Sequence, residues 1–572
     1  MFQSLFVAAV SLLAVAAKAQ GCTLNCPEEQ TCYAPSSDAM ECMNTMPFNK
    51  DWATATVDVI SQSLLNYGFL QLYHNTGPPY TVTLDVQDEL LKTQELINNG
   101  DFSTDMDFQE HIQDIIQITN DAHTRYQKPV CYNAVFLQPF AFDLRVIEST
   151  SNSNDEEPKA FLMRNEYTDQ YMEMYPNSPI EKLFDQEVVL LNNLEFTTAV
   201  TSWADTHETR SNNRGVRFNT ALRSYLYRSA IQYNVRPLTE LTVTLADGES
   251  YTFPWMASYT TGLANTTFCA AVEDTTTELT GTELTRTITH KFPFVNPTHH
   301  PELLDPPTPL VHEVLRKATP ERTIIVPSDA PNSISCFTQH VSGTDAKGAS
   351  VENVLVMKVS SFAPPGATGF KGFLDDVETC MDSEYDMMVV DVMQNGGGIV
   401  CLGLRLLELL IEDYWNDHTQ VQMNYDFPHS SLMDTYIDVV NSNEGYINKE
   451  TGQAYVDGEA YYYGRNVTQG GVTHQRTNYF ALDCSDIEKL PLNYKPKKFL
   501  PVDKLLFVTD GTCGSTCACF TKIAQEHGKA TLIGVGGLWE ESMDVSSFAG
   551  GFVSNPDVML EIAEESGLTF PK

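Results

Sequence analysis

The sequence is poor in positive charge: 35 Lys and Arg stand against 75 Asp and Glu, a formal net charge of −40. A field of that sign repels phosphate backbones and anionic membrane surfaces, which argues against nucleic acid as a partner. Long apolar runs are also scarce. The strongest, Leu5 to Ala17, falls short of the ~20 residues a spanning helix needs, so no membrane insertion is expected. It is followed by the small-residue site Ala17-Lys18-Ala19 and reads as a secretory signal over residues 1–19, which implies a secreted, extracellular protein. Paired CxxC or HxxxH spacings are missing, which removes the usual structural zinc sites. No internal repeat or low-complexity tract is evident.

Against these absences, the sequence has thirteen cysteines, all beyond the signal and in a compartment that permits disulfides. Cys22, Cys26, Cys32 and Cys42 suggest a stapled cap over residues 20–45, and the odd total leaves at least one thiol without an intramolecular partner. The sequons at Asn265 and Asn466 mark two candidate glycosylated surface loops. Hydrophobic content of 42% and charged content of 19% suit a globular chain of several domains.

The chain divides by pattern. Residues 46–160 open with helical periodicity in VDVISQSLLNYGFL and FQEHIQDIIQITNDAH, then turn strand-like. Residues 161–285 hold a strand (EVVLLNN), a helix (FTTAVTSWAD) and a hairpin signal, LTVTL and YTFPW around Asp247-Gly248. Residues 286–330 read as a Pro- and His-rich linker. Residues 331–572 alternate strand and helix, which predicts an α/β unit with a largely parallel sheet. Ligands of such sheets collect at the carboxyl ends of the strands.

Two Gly-rich strand-to-helix turns fall at that edge. Asn395-Gly396-Gly397-Gly398 would let backbone approach a ligand closely and offer N–H groups to a developing oxyanion. The second turn carries Ser515 within Gly511-Thr512-Cys513-Gly514-Ser515-Thr516. By residue type and place Ser515 is either an ordinary N-cap or a nucleophile beside the helix N-terminus, with the Thr516 N–H completing an oxyanion hole. It is no G-x-S-x-G elbow, since Cys513 and Cys517 take the glycine positions.

The run FVTDGTCGSTCACFTKIAQEHGKATLIGV resembles the nucleophile segment of the S41 tail-specific (C-terminal processing) serine peptidases. VVDVMQNGGG resembles that family's oxyanion strand and turn, and VLVMKVSSF the strand that opens the core. Together they cover roughly Asn353 to Gly537. The resemblance implies a ClpP/crotonase-like catalytic core, a helical N-terminal region and a PDZ-like middle domain. It makes Ser515 the nucleophile and gives the oxyanion hole to Gly396, Gly397 and Thr516. The lysine used by many members is not expected here: Glu540 stands at its spacing, and no lysine lies between Lys529 and Lys572. The chain is closer to the Ser-His-Glu branch that includes the chlamydial protease-like factor and fungal secreted homologues. Its Asn120-Asp121-Ala122-His123 stretch resembles that branch's histidine segment, so His123 is the implied general base. The glutamate of the branch falls beyond Lys572; Glu540 and Glu541 are substitutes only by proximity in sequence.

The expectation is therefore a secreted serine-type endopeptidase acting on protein or peptide substrates, without metal or other cofactor. The rival is an inactive binding protein on the same fold, for peptides or apolar ligands. A metal hydrolase built on His299 and His300 is the weakest alternative, because the pair lies in the linker without ligand spacing. The oligomeric state is left open.

Overall fold

The computed structural model describes residues 24, 26–27, 30–65, 67–75, 83–145, 158–236, 238–260, 322–328, 332–344, 348, 350–364, 369–417, 423–430, 446–448, 464–482, 484, 496–539 and 541–545. The expected signal, most of the linker, Asn265, His299, His300 and Glu540 lie outside them.

The α/β rhythm of the last third folds into a six-stranded sheet. Its order is Arg322–Val326, Ile334–Thr344, Ser350–Val359, Met387–Asp391, Leu505–Thr509 and Thr531–Gly534. The first two pairings are antiparallel and the last three parallel. The parallel strands are short apolar runs because crossover helices cover them. Gly369–Met381, Val400–Leu410 and Thr516–Glu526 are those helices, each burying its apolar face in one core with Leu355, Met357, Val390 and Phe507. Phe520 on the last helix stacks on Phe507 at 4.7 Å and meets Phe362 at 5.5 Å. Aromatic contacts of this kind add roughly 0.5–1.5 kcal/mol each beyond area burial, so the orientation of this helix is firmly fixed. A disulfide between Cys336 and Cys380 ties helix Gly369–Met381 to the sheet, and Cys401–Cys484 ties helix Val400–Leu410 to the segment after it.

The middle of the chain forms an antiparallel sheet in the order Phe140–Arg145, Lys159–Arg164, Glu187–Leu191, Leu241–Leu245, Ser250–Phe253. The Asp247-Gly248 hairpin forms as the sequence predicts. One of these strands precedes residue 161 and a second, Lys159–Arg164, crosses it. Helices Phe196–His207 and Arg214–Ser224 pack beside this sheet through Val200, Trp203, Phe218 and Ala221. The cysteine-rich segment contributes the strand Cys32–Pro35, which pairs with Met256–Tyr259. Cys26 bonds Cys32, and Cys42 and Cys131 are also disulfide-bonded.

The N-terminal helices Lys50–Leu64, Val86–Asn99 and Asp105–Gln117 form their own core. Each begins at a side chain that accepts backbone N–H bonds: Asn49, Asp85 and Thr104, the last in a full capping box with Asp107. No helix among the described residues is long and apolar enough to cross a membrane.

Candidate active site

Neighbouring parallel strands, Met387–Asp391 and Leu505–Thr509, deliver the two Gly-rich turns to the same edge of the sheet. The first turn is organised by Asn395, which is fully buried. Its Nδ2 donates to the Val359 carbonyl at 2.8 Å, and its Oδ1 accepts the Gly397 N–H at 2.9 Å. Its own carbonyl accepts the Gly514 N–H at 3.1 Å, which joins the first turn to the second. Gly397 and Gly398 have φ of +104° and +140°. A methyl group on Gly398 would lie 2.3 Å from the Phe362 carbonyl carbon, so this turn needs glycine for space as well as conformation.

Ser515 occupies the N-cap position of helix Thr516–Glu526 but does not cap it. Its φ is +50° and ψ −122°, and its side chain makes no cap hydrogen bond. The Cys517 N–H, which an N-cap serine would take, goes to the Gly514 carbonyl at 2.9 Å. For a serine this backbone is strained, on the order of 1–3 kcal/mol, a conformation that persists only when its surroundings impose it. The hydroxyl has no hydrogen-bond partner among the described residues, although the rest of the turn is tied down. Thr516 Oγ1 donates to the Gly398 carbonyl at 2.6 Å, and Asp510 Oδ1 accepts from the Thr512 N–H and hydroxyl and from the Gln394 N–H. The ordinary N-cap alternative therefore does not describe this serine.

The oxyanion candidates are placed around it. A methyl on Gly397 would fall 2.7 Å from Ser515 Cβ and 3.0 Å from the Thr516 nitrogen, so Gly397 lies directly against the serine. The N–H groups of Gly396 and Thr516 have no acceptor among the described residues, whereas that of Gly397 is committed to Asn395.

His123 lies in a turn just after helix Asp105–Gln117, with its side chain exposed. The turn is shaped by Asp121, a buried carboxylate that accepts the His123 N–H at 2.8 Å and the Tyr67 hydroxyl. Burial, and then the Asp121 charge, push the Tyr67 pKa well above the ordinary tyrosine value, so it remains a donor. Downstream, Lys128 is buried and donates to the carbonyls of Ala230 and Tyr233 at 2.8 and 2.7 Å. The segment carrying His123 is thus anchored on both sides. Since the Ser515 hydroxyl has no partner among the described residues, no hydrogen bond joins it to the His123 ring. Of the two substitute carboxylates, Glu541 pairs with Arg214 at 3.2 Å.

Sequence reasoning left out what Asn395 and the Cys513–Cys517 pair do, and it found in Arg217-Phe218-Asn219 only a resemblance to the secreted homologues with a structural role. In the sequence Asn395 stands only as the start of a Gly turn. Asn219 donates to the carbonyls of Asp510 (2.8 Å) and Val535 (3.0 Å) and accepts the Gly537 N–H (2.7 Å), so helix Arg214–Ser224 grips both the loop before Ser515 and the segment after strand Thr531–Gly534. Cys513 and Cys517 form a disulfide around the serine, for which the only sequence signal was their spacing of four. Cys519 on the same helix is a free, buried thiol, and burial pushes its pKa up.

No protein-family model matches the chain, and no curated protein matches it. Among solved structures it is similar to mature CPAF complexed with lactacystin, with TM-score 0.47, 13% identity and 84% of each chain covered. It is also similar to mature CPAF alone, with TM-score 0.48, 12% identity, and 84% of this chain and 83% of that one covered. The photosystem II D1 C-terminal processing protease gives TM-score 0.27 and 8% identity, with 85% of this chain and 81% of that one covered.

Proposed function

We propose that the chain is a secreted serine-type endopeptidase of the S41 kind, with Ser515 as nucleophile and His123 as general base. The observation that carries this reading is the state of Ser515: a strained serine at the carboxyl edge of a parallel sheet, its hydroxyl without a partner among the described residues, pressed against a glycine turn. A serine kept out of its own helix cap is available for other chemistry.

In the proposed reaction a peptide carbonyl lies over Ser515, its oxygen facing the N–H groups of Gly396 and Thr516. The Gly397 N–H joins them only by leaving Asn395. The His123 ring, brought within hydrogen-bond reach when substrate binds, takes the hydroxyl proton as Oγ attacks the carbonyl carbon. The C–N bond then breaks as the imidazolium returns that proton to the leaving amine. Water hydrolyses the acyl-enzyme by the same proton transfers. An imidazole suits both directions because its ordinary pKa is near working pH. No carboxylate is assigned to orient His123, and a Ser-His pair without one retains part of the rate. The exposure of Asn466 on its strand suits glycosylation of a secreted protein.

The test is labelling by a fluorophosphonate probe, with Ser515→Ala and His123→Ala alongside the wild type. Labelling that both substitutions abolish supports the reading; equal labelling of all three defeats it. The absence of a Ser515–His123 hydrogen bond favours the second reading, a binding protein. An unlabelled wild type that still binds peptide would establish that role instead.

A further inference from the structure

We propose that the Cys513–Cys517 disulfide is a positioning element for the nucleophile, holding Ser515 in its strained, uncapped conformation. The inference rests on the reading of Ser515 as nucleophile and adds to it the covalent feature that keeps the serine out of its cap.

The bridge spans the serine symmetrically, two residues on either side, and draws the Cα atoms of Cys513 and Cys517 to 5.1 Å. The change from loop to helix must therefore be completed by Gly514, Ser515 and Thr516 alone. Thr516 already belongs to the helix, and its hydroxyl is held by the Gly398 carbonyl. The Gly514 N–H is held by Asn395 and its carbonyl by Cys517. Of the three residues, only Ser515 has positive φ. An unconstrained serine at this place would adopt extended backbone and turn its oxygen onto the first helical N–H groups, as N-cap serines do.

A structural staple is the competing explanation, and loop length weighs against it. Cross-links stabilise chiefly by closing chain in the unfolded state, and the effect grows with the length closed. Cys336–Cys380 and Cys401–Cys484 close separations of 44 and 83 residues, whereas Cys513–Cys517 closes 4. So short a ring restrains little unfolded chain; what it restrains is local backbone. Both half-cystines are fully buried beside Phe520, so the brace is part of the packed core rather than an exposed clip.

The experiment compares the full-length wild type with Cys513→Ala/Cys517→Ala. Three quantities are read: peptidase kcat and KM, fluorophosphonate labelling rate, and the Ser515 backbone in a crystal structure of each protein. The expected result is a fall in kcat and labelling rate of about a hundredfold, the scale of a misplaced reacting group, with KM within about twofold. Ser515 should move to negative φ with its oxygen on a helix N–H. A variant that keeps Ser515 near its present φ and labels at the wild-type rate overturns the proposal. A fall in melting temperature with kcat unchanged also overturns it, in favour of the staple. If the wild type is not labelled at all, the nucleophile reading fails, and the Ser515 φ in the two crystal structures still decides whether the disulfide holds the turn. Should the alanine pair not fold, Cys513→Ser/Cys517→Ser is judged by the same measurements.

Discussion

Replacing Asn219 with alanine would test whether the middle of the chain holds the nucleophile loop in place. The side chain makes three bonds to main chain about 300 residues away: to the Asp510 and Val535 carbonyls and from the Gly537 N–H. At roughly 0.5–1.5 kcal/mol net for each hydrogen bond, their loss destabilises by about 1.5–4.5 kcal/mol. For a domain of 150–250 residues, 1 kcal/mol moves Tm by roughly 2–4 °C, so a fall of several degrees is expected by differential scanning fluorimetry. Because Asp510 also holds Thr512 and Gln394, the labelling rate at Ser515 should fall as well. Asn219→Asp sharpens the test. It keeps the acceptor for Gly537 but turns a carboxylate oxygen toward two carbonyls, so near neutral pH it should be at least as damaging as alanine. Those carbonyls favour the protonated acid, raising the folded-state pKa of the introduced group above its unfolded value. The Asn219→Asp protein should therefore regain stability as pH falls toward and through the ordinary carboxylate range. Melting within 1 °C of wild type together with unchanged labelling, in either variant, would refute this account of the loop.

Two other perturbations probe the site and the sheet. Gly397→Ala places a methyl 2.6 Å from the Gly514 carbonyl oxygen at a φ of +104°, so labelling should drop by about a hundredfold, the scale of a misplaced reacting group. Gly248→Ala, at a hairpin φ of +89° with open space around it, should cost stability only and leave labelling intact. Asp386 accepts the Glu352 and Asn353 N–H bonds at 2.9 and 3.1 Å, and those bonds hold its carboxyl below its ordinary pKa. Its contribution is therefore present above the unfolded-state pKa and lost as pH falls through the lower folded value. The melting gap between wild type and Asp386→Ala should be seen at neutral pH and close in that acidic window; a gap independent of pH would contradict the assignment.

The core was legible because its signals are local. MMVVDVM and KLLFVTD are unbroken apolar runs, and a strand covered on both faces needs no alternation, so pattern alone placed them beside their helices. The Asp247-Gly248 turn was equally readable, since few residues accept its backbone. What stayed hidden depends on residues brought together from afar. Nothing in LTVTL or KAFLMR announces that they join one sheet, and nothing in Cys32–Pro35 names Met256–Tyr259 as its partner. At the site, Ser515 could be proposed but its conformation could not, because that depends on Asn395 and on a disulfide whose connectivity no sequence specifies. Arg217-Phe218-Asn219 resembles a structural stretch of the secreted homologues, but the partners of Asn219 were not readable, since a polar residue on a helix ordinarily faces water.

The bonds of Asn395 have a consequence for how such a site can drift over evolutionary time. Each group it holds, at Val359, Gly397 and Gly514, is main chain, which every residue type supplies. The residues whose main chain Asn395 holds can therefore change type without losing these three bonds, provided the amide remains and the turn keeps its glycines. Kinship among chains built this way would be carried by few letters, and one that exchanged its catalytic chemistry for another role could keep the same turn unaltered.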